Sequence, residues 1–201
     1  MELYTLKNTS GLFFGGHFVE LLDKIWWTKK SKIEAEKRLL ANAFQAQILL
    51  LWYSFVSVAA SIHYLKFNAQ SEYAGISWVL FSILILCISG FINGLGYKER
   101  AALVKDSYEA LQKLHDQEKY NPSNPSDLAN KYEKILSICE NHSNIDYYLA
   151  LCKAYLHKSE LDRKPTLYIW FFVIWYKIKR ILLLVIFYLI LPALVFLYTG
   201  A

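Results

Sequence analysis

Four side chains in the middle of the chain have metal-ligand chemistry. Cys139, His142, Cys152 and His157 stand in the order C-x2-H-x9-C-x4-H, and thiolate with imidazole is a zinc-type ligand set. The plainer reading of the same spacing is the one it favours. Cys139 and Cys152 each complete an apolar helical stripe, where a thiol packs as a small hydrophobe, and His142 is then a turn residue. No metal and no cofactor are expected. The sequence contains no G-x-S-x-G elbow, no H-E-x-x-H pair and no phosphate-cradling glycine loop, since Gly90, Gly94 and Gly96 lie inside an apolar run. No catalytic residue is assigned, and the expectation is a protein that is not an enzyme.

Two polar stripes carry more functional meaning. Gln47, Ser54, Ser57, Ser61 and Tyr64 fall on one helical face of a first apolar run, and Ser82, Ser89, Asn93 and Gly96 on one face of a second. Such stripes can line a water path. They can equally serve helix packing, because small residues let backbones approach and Gly90-x-x-x-Gly94 is a GxxxG pair. An oligomeric pore would need both. Neither run contains Asp, Glu, Lys or Arg, which argues against a proton relay or a carrier of charged substrates.

The elements that must hold these stripes follow from hydropathy. Residues 43–65 and 76–97 are uncharged runs long enough, at about 1.5 Å per residue, to cross a hydrocarbon core of roughly 30 Å. The polar stretch 66–75 joins them, so residues 42–97 read as a transmembrane hairpin. Lysines and arginines crowd before the first run (Lys24 to Arg38) and after the second (Lys98, Arg100, Lys105), while the connection holds only Lys66. By the positive-inside rule both open ends are cytoplasmic.

Residues 98–165 read as a cytoplasmic helical module. Ala101, Val104, Tyr108 and Leu111 form the stripe of a first helix that continues out of the second span. Asn121-Pro-Ser-Asn-Pro125 stops it. Ser126 or Asp127 caps a second helix with Leu128, Tyr132, Ile135 and Cys139 inward. Ser143-x-x-Asp146 has capping-box spacing and opens a third, with Ile145, Tyr148, Leu149, Cys152 and Tyr155 inward.

The flanks are also apolar. Residues 12–27, within an N-terminal region of 1–41, suggest a helix lying on the membrane surface. Residues 166–201 would make a helix about 54 Å long, too long for one crossing. Lys177, Lys179 and Arg180 divide them into an interfacial aromatic helix over 167–176 and a third span over 181–198, leaving Ala201 outside. Pro192 inside that span is tolerable in a membrane helix. The fold class is therefore all-α, a multi-pass membrane protein.

Composition agrees. Of 201 residues 55% are hydrophobic, and 22 basic against 17 acidic side chains give a net charge of +5. The basic residues sit beside apolar runs, which points to anionic lipid and away from nucleic acid. Three cysteines cannot all pair, so a reducing compartment is expected. The sequons at Asn8 and Asn141 are accidental in a cytoplasmic segment.

Several blocks carry a resemblance: Trp27-Thr-Lys-Lys-Ser-Lys-Ile-Glu-Ala-Glu-Lys-Arg-Leu39 before the hairpin, Tyr97-Lys-Glu-Arg-Ala101 after it, then Leu111-Gln-Lys-Leu114, and Glu140-Asn-His-Ser-Asn-Ile-Asp-Tyr147. Over residues 27–155 the chain resembles the SLATT proteins, two-transmembrane effectors associated with nucleotide-second-messenger synthases and SLOG sensors, and most the fifth SLATT family, often encoded beside reverse transcriptases in bacterial defence systems. The resemblance implies an inner-membrane effector that oligomerises and permeabilises or depolarises the bilayer when a partner senses infection. A reverse transcriptase or nucleotide-sensing protein would be that partner. A non-conducting scaffold that tethers a cytoplasmic nucleic-acid enzyme is the alternative. Residues 11–27 and the segment after Pro165 depart from the two-span pattern. Glu140, Asn141, His142, Ser143 and Asp146 are expected to form a structural corner or a docking site.

Overall fold

The computed structural model describes residues 3–67, 72–157 and 163–199, and every regular element among them is helical. The helices are α1 (Leu3–Phe67), α2 (Glu72–Gly94), α3 (Tyr97–Tyr120), α4 (Pro125–Leu136), α5 (Asn144–Leu156) and α6 (Leu167–Thr199). The centre of the expected 66–75 connection and Ala201 lie outside the described residues. The chain forms two compact units, one of Met1–Leu39 with Lys98–Val173 and the other of Leu40–Tyr97 with Ile174–Ala201.

The N-terminal surface helix and the first span expected from sequence are one helix, α1. No proline precedes Pro122, and the charged stretch 28–39 is made largely of Lys, Glu, Ala and Arg, all good helix formers. In the first unit Ile25 is fully buried with Leu111, Leu114, Leu128 and Tyr132, and Phe18, Leu21 and Leu22 pack against that cluster. The apolar face of residues 18–27 is thus covered by α3 and α4, where a lipid surface had been expected to cover it.

Along α3, Ala101, Val104 and Leu111 are buried as their spacing predicts, while Tyr108 is half-buried and Ser107, Leu114 and Glu118 join the inner face. Glu118 accepts from the Ser123 amide (2.6 Å) and pairs with Lys131 (3.1 Å), which ties down the proline loop. The cap of α4 is Asn124, whose side chain accepts from the Ser126 amide at 3.4 Å, two or three residues earlier than the Ser126 or Asp127 cap expected. Pro125 takes the first helical position, where a missing N–H costs nothing. In α5 the inward side chains are Asp146, Ala150, Leu151 and Cys152; Tyr155 is exposed.

In the second unit α2 ends at Gly94 and does not run on into the next helix. Leu95 and Gly96 donate to the carbonyls of Ile92 and Asn93, both at 3.2 Å, and Gly96 has φ 56°. Only a residue without Cβ enters that region cheaply, so the glycine ends the helix. Among the described residues two stretches, within Phe18–Tyr64 and within Trp78–Tyr120, are long and apolar enough to cross a membrane. Phe44, Leu51, Phe55, Leu86 and Phe91 are all exposed.

Lys177, Lys179 and Arg180 do not divide the C-terminal segment; α6 is continuous through them, because Lys and Arg are good helix formers whatever their hydropathy. Pro192 lies within it and has no N–H to give the Tyr188 carbonyl four residues back. The indole N–H of Trp52 donates to that carbonyl at 3.1 Å, and Tyr53 donates its hydroxyl to the adjacent Phe187 carbonyl at 2.8 Å. The donor that the proline lacks is supplied by α1. Trp52→Phe keeps the ring and removes the donor, so it should destabilise the full chain in detergent by about 1–3 kcal/mol. In a Pro192→Ala background, where a backbone N–H is restored, the same change should cost much less. Equal costs in the two backgrounds, measured by equilibrium unfolding, would sink this account.

Candidate functional site

Three of the sequence blocks singled out above meet at one corner of the first unit. Asp146, with no exposed surface, accepts from Nε and Nη2 of Arg38 at 2.9 and 3.0 Å. It also accepts from the Ser143 amide (2.9 Å) and hydroxyl (2.7 Å), the capping-box geometry that its spacing predicts. Arg38 belongs to the basic run of α1. Arg100, from the Tyr97–Ala101 block, pairs with both oxygens of Glu140 at 2.8 and 2.6 Å. Lys32, fully buried, donates to Cys139 Sγ at 3.1 Å and reaches the Glu140 carbonyl at 3.5 Å.

The other corner residues are placed less deeply. Asn141 is exposed and its side chain accepts from the His142 amide at 2.9 Å. His142 Nδ1 is buried without a hydrogen-bond partner. Burial lowers its pKa below the ordinary histidine value, Asp146 opposes that shift and Lys32 adds to it. Among the described residues no three His, Cys, Asp or Glu side chains gather as metal ligands. Cys139 instead accepts from a lysine, and Cys152 is buried on α5.

A cavity of about 420 Å³ opens between α1 and α5, lined among others by Trp26, Lys30, Ile33, Glu34, Lys37 and Lys153. Glu34 is buried at its floor and pairs with Lys37 (3.1 Å) and Lys153. Lys30 lies over the Trp26 ring, 5.2 Å from its centroid. The sequence signal for this groove was available, since Trp26, Lys30, Ile33 and Lys37 share a helical face, but nothing in the sequence pairs that face with α5.

In the second unit the polar stripes separate. Ser57 is buried and its hydroxyl lies 3.4 Å from that of Ser82, so these two form a contact between α1 and α2. Ser61 donates to the Ser57 carbonyl at 2.8 Å and Ser82 to the Trp78 carbonyl at 3.0 Å, satisfying both hydroxyls within their own helices. Gln47, Ser54 and Asn93 are exposed and Ser89 is half-buried. A Cβ placed on Gly90 or Gly94 would meet nothing within 4 Å, so within one chain neither glycine makes a close helix contact.

A family model, the SMODS and SLOG-associating 2TM effector domain family 5, matches residues 17–198. The chain belongs to this family. The match takes in residues 17–26 and the segment after Pro165, which sequence reading had set apart as departures from the pattern, so both are part of the family domain. Neither a curated protein nor a solved structure matches the chain. Membership of this SLATT family makes the chain a membrane effector domain, and its two apolar helical stretches agree with that.

The corner of this SLATT chain yields two expectations. Arg38→Met leaves a fully buried carboxylate without its cation and should cost about 3–5 kcal/mol, whereas Asp146→Asn leaves a partly exposed arginine that water can reach and should cost less. Combining the two changes should recover part of the Arg38→Met loss in equilibrium unfolding. His142, held low in the fold, takes up a proton more readily when unfolded. Stability present above its ordinary value near 6.5 is therefore lost as pH falls through that value toward the lower folded one. A thermal midpoint that declines from about pH 7 to pH 5, with the decline reduced in His142→Gln, is the expected result.

Proposed function

We propose that this chain is the membrane-permeabilising effector of a bacterial anti-phage defence system. The observation that carries the reading is membership, over residues 17–198, of a family described as 2TM effector domains. In this reading α1 and α2 cross the inner membrane as a hairpin, with the basic residues of 24–38 and 98–105 on the cytoplasmic side. The C-terminal part of α6 is a third span, supported by the donation of Trp52 and Tyr53 to its backbone carbonyls. The unit built from residues 1–39 and 98–173 receives a signal from a partner, a reverse transcriptase or a nucleotide-sensing protein.

Several copies assemble, and the polar residues left exposed in one chain, Gln47, Ser54 and Asn93, line the path. Ser57 and Ser82 hold α1 against α2 and stand behind that lining. No chemistry on a substrate is required, and no cofactor. The glycines 90 and 94, open in one chain, lie where a second chain can approach closely.

Inner-membrane potential and dye entry after induced expression test the reading, with and without the partner and its trigger. Trigger-dependent depolarisation is expected. Ser54→Leu combined with Asn93→Leu should cut the depolarisation at least severalfold with the protein still in the membrane. An undiminished leak in that variant would remove the lining assignment. An intact potential under every condition would favour a non-conducting scaffold.

A further inference from the structure

Arg180 lies at the start of the uncharged part of α6, where residues 181–198 carry no charge, and it faces Asn42 and Gln45 at the start of the uncharged run in α1. Its Nε donates to Gln45 Oε1 at 3.3 Å, and its Nη2 donates to Asn42 Oδ1 at 3.1 Å and to Gln45 Oε1 at 2.7 Å. A guanidinium has five N–H groups. Three are therefore engaged, all with neutral amide oxygens, and the two on Nη1 have no hydrogen-bond partner among the described residues. No carboxylate among those residues pairs with Arg180 either. The side chain is half-buried.

Amide oxygens fix the orientation of a cation without cancelling its charge. What remains is one nitrogen, Nη1, with two N–H donors held in place and a full positive charge that no carboxylate among the described residues offsets. The ligand that satisfies such donors and the charge behind them is an oxyanion, and a phosphate oxygen accepts charge-assisted hydrogen bonds of this kind. Exposed Lys177 and Lys179 lie within a turn of it and add to the local potential.

We propose that Arg180, positioned by Asn42 and Gln45, binds the phosphate of an anionic phospholipid headgroup. The choice of a lipid over a soluble phosphate rests on the reading of α1 and α6 as membrane spans, since both helices become uncharged at this level and the arginine then stands at headgroup depth. The lipid acts as the counterion that the chain itself lacks, bridging α1 and α6 where the hydrocarbon begins.

The test uses the purified full chain in vesicles of phosphatidylcholine, with or without phosphatidylglycerol, and in detergent with inorganic phosphate. Thermal midpoints are read in each, and native mass spectrometry counts retained lipid. Wild type should keep a phosphatidylglycerol molecule and gain thermal stability from it, with little response to inorganic phosphate. Arg180→Gln should retain that lipid roughly tenfold less well, and Arg180→Lys should fall between, because an ammonium keeps the charge but not the planar group that Asn42 and Gln45 orient. Asn42→Leu with Gln45→Leu keeps every charge and removes the holder. It should also weaken retention, which general positive charge would not explain, and a monodisperse elution profile checks that each variant is folded.

Equal retention in wild type and Arg180→Gln would overturn the site. An equal gain from inorganic phosphate would overturn the lipid assignment. A topology reporter fused after α6 that stays on the Lys177 side sinks the spanning reading separately, and the lipid arm still decides the site.

Discussion

The carboxylate of Asp146 has no surface of its own, and the first unit is arranged around the need to keep it charged and bonded. A buried carboxylate is tolerated only when its oxygens are matched by donors and its charge by a cation. Arg38 supplies both from α1, and Ser143 supplies two more donors from the turn before α5. The amphipathic stripes bring α1, α3, α4 and α5 together. The bidentate pair then fixes which turn of α1 lies against the start of α5, a register that apolar packing alone sets only loosely.

The second unit obeys a different constraint. A helix carbonyl that loses its own N–H partner must find another donor. Pro192 creates that problem at the Tyr188 carbonyl of α6, and the Trp52 indole of α1 answers it, with Tyr53 adding a bond to the neighbouring carbonyl. The hydroxyls of Ser61 and Ser82 turn back on their own backbone. The result is a unit that exposes many large apolar side chains and ties α1 to α6 through side-chain donors.

Much of this was legible in the sequence because it depends on periodicity and composition. The two long apolar helical stretches, the α3 stripe at Ala101, Val104 and Leu111, the proline stop after Tyr120 and the Ser143 cap all follow from local rules, and the structure contains them. Hydropathy misled where it was taken for secondary structure. The charged stretches at 28–39 and 177–180 divide apolar runs without breaking a helix, so α1 and α6 are longer than expected, while the small break at Gly96 leaves no trace in hydropathy. The partners of Arg38, Lys32, Trp52 and Arg180 lie more than a hundred residues away in sequence, beyond any spacing argument. The lesson for the polar stripe is similar, since a face shared by Ser54, Ser57 and Ser61 does not say which of them a neighbouring helix covers.

The depth of the Arg38 pair bears on how the protein withstands ionic strength. Mobile ions screen exposed pairs over a Debye length of roughly 8 Å in physiological salt, and pairs such as Arg163 with Asp23 or Lys105 with Glu109 weaken as salt rises. Asp146 is out of reach of that atmosphere. A protein proposed to let ions through a membrane changes the very medium around its own surface. Its exposed charges would register the change, and the corner built on Asp146 would not.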